Sequence, residues 1–166
     1  MTDALVIVDL QLGMLNGALC PPLPDGDALL ARVAALLDDA RARGVPIVHI
    51  RHGGGAGDPL ETGSDGWHLH PKVAPISGEP VVDKTVRNGF DNTRLLEALG
   101  PAKRLTFAGA QSEVCVAATC RGALAHGFKV ALVADAHGTW PSDGRSAADI
   151  SASINDALAA EGVELV

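Results

Sequence analysis

The stretch Arg104-Leu105-Thr106-Phe107-Ala108-Gly109-Ala110-Gln111-Ser112-Glu113-Val114-Cys115-Val116 runs from a β-prone segment, through a turn of small and polar residues, into a segment with helical character. A strand that hands over to a helix in this way is the building unit of a parallel α/β sheet. The same unit recurs on both sides of it. Strands are predicted at Ala4–Val8, Val45–Ile50, Pro80–Val82, Arg104–Ala108 and Lys129–Ala134, with a weaker one closing the chain at Val163–Val166. These runs are continuously apolar rather than alternating, the pattern of strands covered on both faces. Helices are predicted at Asp27–Arg43, Asn92–Leu99, Glu113–His126 and Ser146–Glu161. In the first, Leu29, Leu30, Val33, Leu36 and Leu37 share one face, and Gly44, Gly100, Gly127 and Gly162 stand where helix C-caps belong. Right-handed crossovers then give one domain over residues 1–166. The expected architecture is a three-layer α/β fold with a mostly parallel sheet and helices on both faces. Ligands of such sheets bind outside the carboxyl ends of the strands. The long Gly- and Pro-rich segment His52–Glu79 breaks the rhythm and reads as a functional loop.

Composition narrows the partners. The net charge of −7 and the scattered basic residues argue against nucleic acid. No uninterrupted apolar run exceeds five residues, against the roughly 18 of a membrane span. Three cysteines at irregular spacing are not a disulfide framework, and Met1-Thr2-Asp3 leads straight into a strand without a signal-peptide layout. The expectation is a cytoplasmic protein with a small-molecule substrate.

Three residues could carry chemistry. Asp9 ends the first strand, where a carboxylate must be paired or hydrogen-bonded; alone it reads equally as a turn residue. Lys84 follows Val81-Val82-Asp83 at another strand end, although most lysines there are solvent-facing. Cys115 is the sharper signal. With Ser112 as N-cap it would lie in the first turn of a helix, where free N–H groups and the helix dipole stabilise a thiolate or an oxyanion. The plain alternative is a small core residue. A base, a cation and a thiol meeting at one mouth would suit nucleophilic attack on a carbonyl.

Val8-Asp9-Leu10-Gln11, then Lys84 with Asn88-Gly89-Phe90 and Thr93, then Gly109 to Val116, and later Val133-Ala134-Asp135-Ala136-His137-Gly138-Thr139, together resemble the isochorismatase-like cysteine hydrolases. The resemblance covers nearly the whole chain in order. It implies a six-stranded, Rossmann-like parallel sheet, a triad of Asp9, Lys84 and Cys115, a cis peptide at Ala110–Gln111, an oxyanion hole from the N–H groups of Gln111 and Cys115, and a homodimer or homotetramer. Gln11, Trp67 and Ala110 become candidate substrate contacts, with Trp67 equally readable as a loop anchor. The implied activity is cleavage of an amide-type C–N bond through a thioester. The alternatives are an enol-ether hydrolase, whose chemistry does not depend on a cysteine, and a non-catalytic binding protein.

No cofactor or metal is expected. His49-Ile50-Arg51-His52-Gly53 lacks the Asp-x-His pairing that nicotinamidases of this family use, and Gly53-Gly54-Gly55-Ala56-Gly57 lacks the Lys-Ser/Thr of a phosphate loop. His68 and His70 read as a loop pair, and Cys120 as core. Cys20 sits in a loop without an obvious partner. Arg87 and Asn88 could touch a polar substrate. His137, after the fifth strand, is the rival base in a Cys–His mechanism.

Overall fold

The computed structural model describes residues 3–166. Among these residues six strands form one sheet: β1 (Asp3–Val8), β2 (Ile47–His52), β3 (Val81–Lys84), β4 (Arg104–Ala110), β5 (Lys129–Gly138) and β6 (Glu164–Leu165). Their order is β3-β2-β1-β4-β5-β6, and every pairing is parallel. Strand order reverses between β1 and β4, so the crevice for a ligand opens above those two strands.

Side-chain alternation along β1 explains the three layers. Ala4, Val6 and Val8 pack into one apolar cluster with Phe107, Leu95, Leu99, Ala117, Cys120 and Leu158. Leu5 and Ile7 point the other way, into a cluster with Leu29, Leu30, Val33 and Leu37. The first layer is built by α2 (Leu95–Leu99), α3 (Ala117–Ala125) and α4 (Ala147–Ala160), and the second by α1 (Gly26–Ala42). Among the described residues, the largest fully buried apolar side chains other than Phe107 are Leu and Ile, so the core is mainly aliphatic. None of the described helices is long and apolar enough to cross a membrane.

Element boundaries differ from the sequence expectation where local chemistry is overruled by pairing. β2 begins at Ile47 rather than Val45 and runs on to His52, because Arg51 and His52 align with Asp83 and Lys84 of β3. β5 continues four residues beyond Ala134 to Gly138, where His137 and Gly138 align with Gly109 and Ala110 after a register shift. α2 starts at Leu95 instead of Asn92: Asn92 has φ +55°, and Thr93 Oγ1 accepts from the Leu95 amide at 3.2 Å. The helix expected from Glu113 is divided. Ser112–Val116 is a π turn, closed by the Val116 amide on Gln111 O at 3.1 Å, and α3 follows at Ala117. π turns of this kind are frequent at functional sites.

Candidate active site

The strand ends bring Asp9, Lys84 and Cys115 together. Asp9 follows β1 with φ +51°, a conformation uncommon for a residue with a Cβ, and its amide is held by Ile50 O at 3.0 Å. Beside it, Gly109 of β4 has φ +135°, and a Cβ there would lie 2.1 Å from Val8 O; only glycine lets β4 approach β1 this closely. Lys84 ends β3, with its side chain fully buried. Its Nζ lies 2.8 Å from Asp9 Oδ2 and donates to Cys115 Sγ at 3.2 Å. The Ala110–Gln111 peptide, four residues before Cys115, is cis.

A fourth group completes the cluster. His52 ends β2, in register with Lys84, and its Nδ1 is 3.2 Å from Lys84 Nζ. The three protons of an ammonium thus meet three acceptors: carboxylate, sulphur and imidazole. Oxygen of Asp9, ring nitrogen of His52 and Cys115 Sγ lie within 4.8 Å of one another, as metal ligands would. The ammonium of Lys84 is already within 3.2 Å of all three residues, so a cation placed among them would face its positive charge. His52 had not emerged from the sequence as part of the site. Its signal was available only as a polar residue at the carboxyl edge of a strand flanked by the Asp9 and Lys84 strands.

Burial dominates the acid–base properties. It raises the Asp9 carboxyl above its ordinary range, against the pull of Lys84. It also pushes the Cys115 thiol up to about 12, with the Asp9 carboxylate adding to the rise and Lys84 opposing it. This runs against the expectation that the first turn of a helix would stabilise a thiolate at Cys115. Burial and the Asp9 charge thus both favour keeping the proton on sulphur in the resting cluster. Moving its proton to Asp9 exchanges one anion for another beside the same ammonium, so the net charge of the buried cluster does not change.

The cleft over Cys115 has a volume of about 440 Å³. Met14, Pro59, Leu60, Val114 and Trp140 supply apolar walls, while His52, Gln111, Asp58 and Arg87 add polar groups. Gln111 belongs to the lining, its Nε2 donating to Thr139 Oγ1 at 3.4 Å. Cys20 also lines the cleft, with Sγ donating to Gly13 O at 3.3 Å. All three cysteines are free, and Cys120 is core.

Several expected contacts lie elsewhere. Gln11 is completely buried, and its amide is engaged by the backbone of His52 and Trp67, so it shapes the loop instead of facing a substrate. Trp67 is a loop anchor: the Arg51 guanidinium stacks 3.5 Å from its ring centre and is itself held by two bonds to Asp83. Ala110 is buried against the α1 side of the sheet. None of these three lines the cleft. Ser112 is not an N-cap; its hydroxyl bonds to Ser151 Oγ and His137 Nδ1, each at 2.8 Å. His137 is engaged by Ser112 and Asn155 and lines a separate depression, away from Cys115. Asn88 turns back on Phe90 and Asp91, and His70 caps the Lys72 amide.

With this geometry in place, likeness to known proteins is informative. A family model described as the isochorismatase domain matches residues 3–157. Two streptothricin hydrolases of Streptomyces noursei are each 38% identical, over 165 and 164 residues, covering 98% of this chain. The chain spans only 58% and 64% of their lengths. Among solved structures, an isochorismatase from Pseudomonas putida KT2440 superposes with a TM-score of 0.91 at 31% identity, covering 99% of this chain and 87% of that one.

Proposed function

The chain belongs to the isochorismatase family, and from that premise we propose that it is a cysteine hydrolase that cleaves an amide-type C–N bond of a small molecule. The observation that carries this reading is the contact of Lys84 Nζ with both Asp9 Oδ2, at 2.8 Å, and Cys115 Sγ, at 3.2 Å, beneath an open cleft. A buried thiol, carboxylate and ammonium within hydrogen-bond reach form the parts of an activated nucleophile. An enol-ether hydrolase would have no use for the thiol.

In the proposed reaction Asp9 takes the Cys115 proton as substrate binds, and the thiolate attacks the carbonyl carbon. The N–H groups of Gln111 and Cys115 hold the oxyanion, and Lys84 balances whichever of Asp9 and Cys115 is anionic. Collapse breaks the C–N bond, and the departing amine takes the proton from Asp9. Water then adds to the thioester as Asp9 accepts its proton; collapse releases the acid and returns that proton to sulphur. No metal or cofactor enters these steps. We further propose that the protein works as a homodimer or homotetramer.

Streptothricin, which the two relatives are named for hydrolysing, is the first compound to test, beside a panel of small primary amides and lactams. Amine release by the intact protein, its loss in Cys115→Ala, and an acyl adduct trapped on the Cys115 peptide are expected. Turnover retained by folded Cys115→Ala would overturn the assignment.

A further inference from the structure

His52 lies in the cleft with its two ring nitrogens in different surroundings. Nδ1 faces Lys84 Nζ at 3.2 Å. An ammonium can only donate, so Nδ1 must be the unprotonated nitrogen and the proton of the neutral ring must sit on Nε2. Nε2 bonds to no group among the described residues and is not a buried atom, and His52 is part of the cleft lining. Its backbone is held at both ends: N donates to Gln11 Oε1 at 2.9 Å, and O accepts from Gln11 Nε2 at 2.9 Å. The ring is thus a donor of fixed tautomer on a braced strand end, within 4.8 Å of the sulphur.

From this arrangement we infer that His52 is a specificity-determining residue: its Nε2–H selects amides that carry a second hydrogen-bond acceptor close to the scissile carbonyl. The inference rests on the amide-hydrolase reading for the word scissile, but the donor and its fixed tautomer do not. His52 does not serve as the acid for the leaving amine. An imidazolium would stand against the Lys84 ammonium, and burial together with that charge keeps the ring below its ordinary pKa, while the nearby carboxylates of Asp9 and Asp58 pull the other way. A ligand that covers Nε2–H without accepting from it buries an unsatisfied donor. A site with such a donor discriminates by at least about tenfold between an acceptor and its apolar isostere. The remaining polar groups are Gln111, beside Cys115, and Asp58 and Arg87, both exposed. The ligand class is therefore a compact amide with an apolar body and an acceptor such as a ketone or carboxylate beside the reacting carbon.

The test uses acetoacetamide and its methylene isostere, in which C=CH2 replaces the ketone, with the intact protein and His52→Asn. Asn Oδ1 can still accept from Lys84, but nothing replaces Nε2–H. Protection of Cys115 from iodoacetamide is read alongside ammonia release. Acetoacetamide should protect at about tenfold lower concentration than the isostere in the unsubstituted protein. In His52→Asn the two should protect alike, each protecting concentration being read against that variant's own alkylation rate without amide. Equal protection in the unsubstituted protein, a preference that survives His52→Asn, or protection by neither amide would overturn the inference. A preference that disappears in His52→Asn, with no ammonia from either compound, would leave His52 as the selector and remove the hydrolase reading instead.

Discussion

Gln11 grips the backbone of His52 at two points, Nε2 donating to His52 O and Oε1 accepting from His52 N, both at 2.9 Å. The side chain acts as one more rung between the ends of β1 and β2. Its Nε2 also donates to Trp67 O at 2.8 Å, which ties the long loop to the same point. Gln11→Ala should leave these backbone groups without partners and destabilise the fold by about 1–3 kcal/mol. Urea unfolding measures this, and hydrogen exchange should rise first at the His52 amide, which Gln11 Oε1 holds. An unchanged midpoint would show that Gln11 is not the brace described.

Asp9→Asn separates thiol acidity from catalysis. The Cys115 thiol stands at about 12, raised first by burial and then by the Asp9 carboxylate. Removing that charge should lower the pKa read from the pH dependence of iodoacetamide alkylation. Turnover should nevertheless fall by about 10²–10⁴, the scale of lost general-base catalysis. A variant with a more acidic thiol and nearly full turnover would remove Asp9 as the base.

Glu79 anchors the end of the long loop. It receives two bonds from Arg41, at 2.8 and 3.0 Å, and one contact from the fully buried His49 at 3.0 Å. Burial opposes its ionisation, but the Arg41 bonds, the Ile76 amide and His49 outweigh it and bring the carboxyl from 4.5 to about 2. A depressed carboxylate contributes stability that is complete above its unfolded value and lost as pH falls toward the folded one. Glu79→Gln should therefore lower the unfolding midpoint at pH 7, and the deficit should narrow between about pH 4.5 and 2. A deficit independent of pH across that window would exclude ionic anchoring.

His137→Ala distinguishes support from chemistry. Asn155 Nδ2 donates to Ala134 O, so Asn155 Oδ1 accepts from His137 Nε2–H, and Nδ1 accepts from Ser112. Loss of the ring leaves Asn155 Oδ1 without its donor and Ser112 with Ser151 as its remaining partner beside the π turn, at a cost of about 1–3 kcal/mol in thermal or urea unfolding. Turnover should fall far less than in Asp9→Asn. If kcat falls equally in both, a Cys–His mechanism becomes the better account.

The layers and their order of secondary structure were legible because they depend on local patterns: apolar runs such as Ala4–Val8, and glycines such as Gly44 and Gly127 that end helices. Cys115 was legible for a similar reason, standing a few residues past a strand. The extension of β5 to Gly138 was not, because residues 135–138 lack an apolar run and are held by pairing with β4. Nor was the π turn, which places the Val116 amide on Gln111 O and displaces Ser112 from its expected cap.

By itself, then, the sequence determined that this is a parallel α/β domain with an acid, a lysine and a cysteine at strand ends, since each follows from neighbours along the chain. Only the tertiary structure decided that Lys84 and His52 face one another across a parallel register, that Gln11 and Trp67 brace the loop outside the cleft, and that burial raises the Cys115 thiol. These depend on which side chains share a buried volume and how little water reaches it. Residues far apart in sequence set both quantities together.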